Sequence, residues 1–237
     1  MPLDFSKVPK EFNPSIFHPF FFIRKGLLKG IAQHAEKIQG KLLDFGCGSK
    51  PYQSLFHVDE YIGVDYENSG HTHINEQIDV FYDGKHLPFE NNFFDAILCS
   101  EVIEHVFNLE HVLTELNRVL KPKGKIILTC PFVWSEHEIP HDFARYTQFA
   151  LKNILESHGF EIIQFSKSGN FITSCFQLLV LYFYQNSNAQ WLKFPPFRWI
   201  YKFIFYFFLN VSGSILGWIL PKNRSFYLNN ILLAVKK

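Results

Sequence analysis

The strongest constraint on the fold is a series of short apolar segments, most of which end in an acidic residue. These segments are KLLDF (41–45), EYIGVDY (60–66), QIDVFYD (77–83), FFDAILCSE (93–101) and KIILTCPF (125–132). Residues 109–120 carry apolar side chains at helical spacing, and Pro122 and Gly124 mark the end of that helix. Continuous apolar strands alternating with helices indicate an α/β domain with a mostly parallel sheet.

The rest of the chain extends this pattern, and the whole chain divides into three parts. Residues 147–158 predict a further helix, and 161–166 and 229–235 predict a sixth and a seventh strand. Residues 16–38 predict an amphipathic helix that packs on the domain's own core, with a membrane-facing helix as the alternative. We expect an N-terminal helical cap (1–39), a core (40–168 and 227–237) and an apolar, aromatic helical insertion (169–226).

The acidic residues at the strand ends predict a ligand site. In an open α/β sheet, ligands bind beyond the carboxyl ends of the strands. Gly46 and Gly48 follow the first strand, where residues without a Cβ let the backbone approach a ligand; a tight turn is the simpler interpretation. Pro51 stands where a dinucleotide motif would have its third glycine, which disfavours pyrophosphate recognition. Asp65, 17 residues beyond Gly48, is suited to accept both hydroxyls of a ribose.

Taken together, these segments resemble a known enzyme family. LLDFGCGSKPY, YIGVDY, DGKHLPFENNFFDAILCSEVIEHV and LNRVLKPKGKIILTCPF, in this order, are similar to motifs of class I S-adenosylmethionine-dependent methyltransferases. The likeness is greatest to small-molecule and ubiquinone-pathway enzymes, and covers roughly residues 40–170 plus the final strand. It implies a doubly wound, seven-stranded, mostly parallel Rossmann-like sheet, here with a hydrophobic helical insertion before the last strand.

The resemblance also implies S-adenosyl-L-methionine as cofactor and a role for particular residues. Asp44 and the two glycines would shape the methionine end of the pocket, and Asp65 would hold the ribose. Asp83 would accept from the adenine amino group, Gly84 would offer backbone to the ring, and Glu101 would close the pocket near the sulfonium. The full set of implied cofactor-binding residues is Asp44, Gly46, Cys47, Gly48, Asp65, Tyr66, Asp83, Gly84 and Glu101.

This assignment agrees with the chemistry of the cofactor. S-adenosylmethionine is a sulfonium cation with a ribose and an adenine, so it needs carboxylates and close backbone rather than a phosphate cradle. Methyl transfer is an in-line displacement, and much of its catalysis can come from holding the acceptor and the methyl carbon in line. A general base is needed only for a poor nucleophile such as a hydroxyl.

Two histidine-bearing segments, 100–105 and 134–147, follow the fourth and fifth strands, where the acceptor should bind. The second is similar to a loop of bacterial methyltransferases associated with polysaccharide and lipid-linked glycan pathways. One interpretation makes His105 or His141 the general base for a hydroxyl acceptor. These two histidines are the predicted catalytic residues.

Two other interpretations of the same segments stay open. In the structural one, His105 packs under the fourth strand, and Asp142 and Arg145 form an ion pair. In the third, Glu101, Glu104, His105 and a downstream histidine bind a divalent metal, because E-x-x-E-H resembles the metal site of ubiquinone-pathway O-methyltransferases. These ligand types would not fix the metal's identity. We expect that no metal is required.

The insertion differs from the rest of the chain in charge and composition. Residues 1–161 hold 15 Lys and Arg against 22 Asp and Glu, whereas residues 162–237 hold 8 basic residues, no acid and 19 aromatic residues. Residues 168–192 and 203–221 contain no ionisable acid or base and predict two interfacial helices. Aromatic residues such as Trp191, Trp199 and Trp218, and basic residues such as Lys193, suit an anionic membrane surface. A lid or a dimer interface would explain the same composition.

We therefore expect methyl transfer from S-adenosylmethionine to a small or lipid-linked acceptor, as an O-methylation at the membrane surface. A net charge of +1 gives no reason to expect nucleic acid, and four cysteines without C-x-x-C suit a reduced intracellular protein. The expected location is the cytoplasm, peripheral at the inner face of the membrane. The alternatives are a soluble small-molecule methyltransferase with a lid or dimer insertion, a nicotinamide-dependent oxidoreductase and a non-catalytic membrane scaffold.

Overall fold

A computed structural model describes residues 5–66, 77–187 and 194–237 of the protein. The strands are β1 (Lys41–Phe45), β2 (Glu60–Tyr66), β3 (Val80–Tyr82), β4 (Phe94–Ser100), β5 (Leu120–Pro131), β6 (Phe160–Lys167) and β7 (Asn229–Lys236). The helices are α1 (Phe21–Ala35), α2 (Leu109–Val119), α3 (Gln148–Ser157), α4 (Phe171–Gln185), α5 (Pro195–Lys202) and α6 (Leu209–Ile219). All seven predicted strands are present; β5 begins at Leu120, directly after α2, and β3 is only three residues long.

The seven strands form one sheet in the order β3-β2-β1-β4-β5-β7-β6. β7 is antiparallel to both of its neighbours, and the other strand pairs are parallel. The predicted fold class, a doubly wound and mostly parallel sheet, is confirmed. The strand order reverses between β1 and β4, so the crevice for a ligand is expected beyond the carboxyl ends of these two strands.

Apolar side chains cover both faces of the sheet. On one face, α2 and α3 contribute Leu113, Leu116 and Leu151, which are at most 1% exposed, to a cluster that includes residues of all the central strands. On the other face, Leu28 and Ile31 of α1 pack with residues of β1, β4, β5 and β7. The N-terminal helix therefore lies on the sheet, as its apolar stripe indicates.

The insertion between β6 and β7 is a pair of antiparallel helical segments. The second segment is longer than the sequence predicts, because the helix begins at Pro195 rather than near residue 203. Proline is tolerated in the first turn of a helix, where its missing N–H has no helical partner. Residues 195–196 therefore start a helix instead of separating two apolar stretches. α5, a π-helical turn at Phe203–Phe208 and α6 then run on without interruption.

Two buried amide side chains attach this helical pair to the N-terminal region. The backbone N–H groups of Phe22 and Ile23, at the start of α1, donate to Gln177 Oε1 on α4 at 3.0 and 3.2 Å. The side chain of Asn210 on α6 donates to the carbonyls of Ile16 and His18 at 2.8 and 3.0 Å. Since the first N–H groups of a helix have no partner within it, Gln177 caps α1 from a distant part of the chain.

The outer face of the helical pair is apolar and exposed. Residues 195–219 form a 25-residue helical segment that is long and apolar enough to cross a membrane. An 18-residue window within it has a mean hydropathy of 1.4, and 22% of that window is buried. The most exposed of its large apolar side chains is Trp218, at 79%. Core helices of soluble proteins can meet the same length and composition criteria, but such helices are mostly buried. Trp191 and Lys193, which the sequence assigns to a membrane surface, lie outside the described residues.

Candidate active site

A cavity of about 640 Å³ lies at the carboxyl ends of β1, β2 and β4, where the strand order reverses. Residues from the strand ends and from two later segments line it: Phe45, Gly46, Gly48, Asp65, Tyr66, Tyr82, Gly84, Glu101, Val102, His105, Val106, Phe107, Asn108, His111, Val112, Glu138, Ile139, Pro140, His141 and Phe143. Six of the nine predicted cofactor-binding residues and both predicted catalytic histidines therefore share one cavity.

The turn after β1 brings backbone to the cavity wall. Gly46 and Gly48 have φ values of +71° and +45°, in the left-handed region that favours glycine. A Cβ on Gly46 would lie 2.3 Å from a methyl carbon of Val102, so this position has no room for a side chain. The backbone N–H of Gly48 donates to Asp65 Oδ2 at 2.7 Å, which fixes the carboxylate at the end of β2 beside the turn.

Asp65 is oriented by backbone from both sides. Its second oxygen accepts from the backbone N–H of Tyr66 at 2.8 Å. Each carboxylate oxygen can accept more than one hydrogen bond, so the group can still accept from a ligand's hydroxyls. Asp65 and Tyr66 line the cavity together, and the geometry suits recognition of a ribose diol.

The segment after β3 forms the next part of the wall. Gly84 lines the cavity with a φ of +82°, and a Cβ there would lie 2.9 Å from the ring of Tyr66. The exposed Asp83 accepts from the backbone N–H groups of Lys85 and His86 at 2.8 and 3.1 Å, and these bonds lower its pKa. Asp83 is not among the lining residues, but Gly84 next to it is.

Glu101, at the end of β4, is held by one side chain from β5 and one from β7. The hydroxyl of Thr129 donates to Glu101 Oε1 at 2.8 Å, and the amide of Asn229 donates to Oε2 at 2.6 Å. Burial nevertheless raises the pKa of Glu101 to about 7. Its φ of +55° places a non-glycine residue in the left-handed region, a costly conformation that proteins retain mainly at functional sites.

Besides Asp83, two further predicted cofactor-binding residues, Asp44 and Cys47, do not line the cavity. Asp44 is 3% exposed and accepts from the Tyr61 hydroxyl at 2.5 Å; burial raises its pKa to about 7. The buried Cys47 lies close to Gly63 on β2, and burial raises its pKa. Both side chains are buried behind the cavity wall, where they pack against β2 and support the turn after β1.

The residues present fit S-adenosylmethionine. Among the described residues that line the cavity, Asp65, Glu101 and Glu138 are acidic and none is lysine or arginine. Such a lining favours a cation over a phosphate. Gly46, Gly48 and Gly84 bring backbone without a side chain to the cavity wall, and Asp65 is oriented for the ribose of the cofactor.

Of the two candidate catalytic histidines, His105 is the better positioned. Its Nδ1–H donates to the backbone carbonyl of His141 at 2.8 Å, so Nε2 is the nitrogen without this proton, and Nε2 of His137 lies 3.1 Å from it. His105 is half-buried on the cavity wall, whereas the side chain of His141 is exposed. His141 therefore contributes its carbonyl to the orientation of His105, and its imidazole also lines the cavity.

The ion pair of the structural interpretation is present in the segment after β5. Both terminal nitrogens of Arg145 donate to the carboxylate of Asp142, each at 2.6 Å. These bonds lower the pKa of Asp142 to about 2. Asp142 Oδ2 also accepts from the backbone N–H of His137 at 3.0 Å, so the pair fixes the conformation of the segment that carries His137.

Part of the predicted metal-ligand set is also brought together. Ligand atoms of Glu104, His105 and His137 lie within 4.8 Å of one another. Glu104 is fully buried, and within the described part of the chain neither of its carboxylate oxygens has a hydrogen-bond partner. Glu101, which the sequence places in the same set, does not belong to this cluster, because its carboxylate bonds to Thr129 and Asn229 instead.

Sequence reasoning missed several residues of the site. Asn229 gave a usable signal, because it is one of two amides at the start of an otherwise apolar strand. His137 lies in the segment identified from its histidines, but its position toward His105 depends on the Asp142–Arg145 pair. Phe107 and Ile139 line the cavity from irregular segments, where no periodic pattern distinguishes them.

The strand order and this carboxylate-lined cavity define the class I S-adenosylmethionine-dependent methyltransferase fold. Residues 43–128 match the model of the methyltransferase domain family. The chain thus carries a class I S-adenosylmethionine-dependent methyltransferase domain, and S-adenosylmethionine is its cofactor.

Individual proteins support this classification. An uncharacterized protein of Methanocaldococcus jannaschii is 39% identical over 95 residues, 39% of this chain and 41% of that protein. A human mitochondrial ubiquinone biosynthesis O-methyltransferase is 30% identical over 178 residues, 60% of this chain and 47% of that protein. The chain spans about half the length of these curated relatives or less.

A solved structure supports the fold. Haemonchus contortus phosphoethanolamine N-methyltransferase 2, in complex with S-adenosyl-L-methionine, has a TM-score of 0.55 at 19% identity. The match covers 88% of this chain and 52% of that chain. At this identity the similarity concerns the fold and not the substrate.

Proposed function

We propose that the protein transfers the methyl group of S-adenosylmethionine to a hydroxyl of a small or lipid-linked acceptor at a membrane surface. The observation that carries the proposal is that His105 lines the same cavity as Asp65 and Glu101. The ribose carboxylate, the carboxylate predicted near the sulfonium and a candidate base thus share one cavity. A quinone-pathway O-methyltransferase among the relatives supports a small-molecule acceptor.

The chain's own groups suffice for this chemistry. Asp65 and the turn at Gly46–Gly48 would hold the cofactor, and Glu101 would offset the sulfonium charge. His105, oriented by the carbonyl of His141, would accept the proton of the acceptor hydroxyl at Nε2 as the methyl group moves to oxygen. Binding both reactants in one cavity would supply the alignment that an in-line transfer requires.

A second candidate mechanism uses a divalent metal ion. The buried carboxylate of Glu104 and the imidazoles of His105 and His137 are a nitrogen and oxygen donor set that suits such an ion. When bound, a metal would lower the pKa of the acceptor hydroxyl. In that case His105 would serve as a ligand and could not also act as the base, so the two mechanisms make opposite predictions for chelation.

The membrane part of the proposal rests on the helical pair, α4 and residues 195–219. Large apolar side chains are exposed on it, including Trp199 at 65%, Phe208 at 61% and Trp218 at 79%. The exposed basic residues Arg198 and Lys222 lie near the two ends of the longer helix. Apolar burial and attraction to anionic lipid would act together, each basic residue near the surface contributing about 1 kcal/mol.

The position of the helical pair suits delivery of an acceptor from a membrane. The chain enters the helical pair after β6 and leaves it before β7. Both junctions are at the end of the sheet that holds the carboxyl ends of β1 and β4, where the cavity lies. α4 also contacts the segment after β5 that carries His137 and His141: the amide of Gln185 donates to the hydroxyl of Ser135 at 3.1 Å.

The experiment that tests the proposed reaction is methyl transfer from radiolabelled S-adenosylmethionine to hydroxyl-bearing acceptors, with the wild-type protein and the His105→Ala variant. Transfer by the wild-type protein that falls sharply in the variant, while cofactor binding persists, supports the proposal. Transfer that is unaffected by the substitution contradicts the role of His105.

A further inference from the structure

The mouth of the cavity is surrounded by large apolar side chains that the reaction itself does not require. Phe107 is 85% exposed, Ile139 is 74% exposed and Phe143 is 45% exposed, and all three line the cavity. The rings of Phe107 and Phe143 contact each other edge to face, with 5.4 Å between their centroids. Phe107, Ile139 and Phe143 together form an apolar rim at the cavity mouth.

Backbone hydrogen bonds join the two segments that carry the apolar rim. Its residues come from two segments, one after β4 and one after β5. The backbone N–H groups of Phe143 and Ala144 donate to the carbonyl of Glu104 at 2.8 and 3.3 Å, which joins the two segments beside His105. A rim that is formed before ligand binding loses little conformational freedom when a ligand contacts it.

We propose that the apolar rim binds a hydrocarbon tail of the acceptor, so that the substrate is an amphipathic molecule with its reacting hydroxyl near His105. This inference rests on the proposed function and adds the chemical class of the substrate. Exposed apolar side chains beside a polar cavity fit a ligand that is polar at one end and apolar at the other. The rim also carries the acidic Glu138, and this part of the chain has an excess of acids, which disfavours direct contact with an anionic bilayer.

The test uses a series of 4-alkylphenols whose alkyl chain lengthens from methyl to heptyl. Binding is measured by calorimetry on the protein saturated with S-adenosylhomocysteine, which cannot donate a methyl group. Each methylene buried against the rim should tighten binding by up to about fourfold in the wild-type protein. The double variant F107S/F143S should lose most of this dependence on chain length while still binding S-adenosylhomocysteine.

Phe149→Ser is the matched control, because Phe149 is 74% exposed but lies on α3 and does not line the cavity. It should keep the wild-type dependence on chain length. The inference is overturned if the wild-type protein shows no such dependence or if the double variant shows the same one. It is also overturned if the rim variant loses only binding to anionic vesicles, which would make the rim a membrane contact. Failure of the wild-type protein to bind S-adenosylhomocysteine would instead overturn the proposed function.

Discussion

The Nε2 atoms of His105 and His137 lie 3.1 Å apart on the wall of the cavity. The Nδ1–H of His105 donates to the carbonyl of His141. Nδ1 of His137 lies 3.2 Å from the carbonyl oxygen of Ser135 and 3.5 Å from Nη2 of Arg145. The contact between the two Nε2 atoms is favourable only when a proton or another cation lies between them. Burial and the neighbouring His105 lower the pKa of His137, which favours its neutral form.

The first prediction concerns the base. His105→Ala should reduce turnover by about 100-fold or more, since removing a general base typically costs this much. His141→Ala should have a smaller effect, because its backbone carbonyl, which orients His105, is retained. Steady-state kinetics with any acceptor that the wild-type protein methylates will show the difference, and unchanged affinity for S-adenosylhomocysteine is the control. Equal losses in the two variants would contradict the assignment.

Chelation tests the second mechanism. If His105 acts as a base, treatment with a chelator leaves turnover unchanged. Loss of activity that a divalent metal restores would assign Glu104, His105 and His137 to a metal site instead. Direct metal binding by the wild-type protein, absent in His137→Ala, would support the same conclusion without an activity assay.

The pH dependence of cofactor affinity tests Glu101. Because burial raises its pKa to about 7, the carboxyl gains its charge as the pH rises through that value. Affinity for S-adenosylmethionine should therefore increase with pH over this range. S-adenosylhomocysteine, which lacks the sulfonium charge, should show a weaker dependence. Calorimetry of both ligands with the wild-type protein and Glu101→Gln is the measurement, and equal pH dependence for the two ligands would argue against a role of Glu101 at the sulfonium.

The cap that Gln177 provides to α1 predicts a specific loss of stability. Gln177→Leu leaves the N–H groups of Phe22 and Ile23 and the carbonyl of Pro19 without their partner. A buried group left unsatisfied costs about 1–3 kcal/mol. Denaturant unfolding should show this loss, whereas Gln185→Ala, which removes an exposed hydrogen bond, should change stability by no more than about 0.5 kcal/mol.

Membrane binding is tested by point substitutions rather than by deletion, because a deletion of the helical pair would also remove Gln177 and Asn210. Sedimentation with anionic liposomes should recover the wild-type protein, and binding should resist high salt but yield to detergent. W218S and F208S should weaken it. Phe149→Ser, an equally exposed apolar substitution on α3, should not.

No binding of the wild-type protein to either neutral or anionic vesicles would favour a lid or a dimer interface. In that case sedimentation analysis of the protein alone should show whether α4 and residues 195–219 join two copies. The exposed apolar face would then be buried in the dimer, and W218S should shift the protein toward the monomer.

The sequence was sufficient for the sheet because local patterns determine it. The apolar runs that end at Phe45, Tyr66 and Ser100 predict strands, and parallel strands bring their acidic ends to one edge. The predicted start of the longer helix was wrong, because a proline such as Pro195 is equally compatible with a helix break and with the first turn of a helix. Its neighbours in the fold, and not its own sequence, decide between the two.

The acceptor side could be predicted only in part. The histidine content of residues 134–147 was enough to identify that segment. The pairing of His105 with His137, however, depends on a loop conformation that Asp142 and Arg145 stabilise. Gln177 gave no signal at all, since an amide inside an apolar helix has the same appearance whether it is exposed or caps another helix. Contacts between residues so far apart in the chain follow from the packing of whole elements.

The most direct test of the central claim, that this cavity binds S-adenosylmethionine and not a nicotinamide dinucleotide, is calorimetric titration of the folded protein with S-adenosylhomocysteine and with NAD. We expect binding of the sulfur ligand, no binding of NAD, and about tenfold or greater weakening in Asp65→Ala, because both ribose hydroxyls lose their acceptor. Heat from NAD alone, or the same affinity for S-adenosylhomocysteine in wild-type protein and Asp65→Ala, would contradict the account.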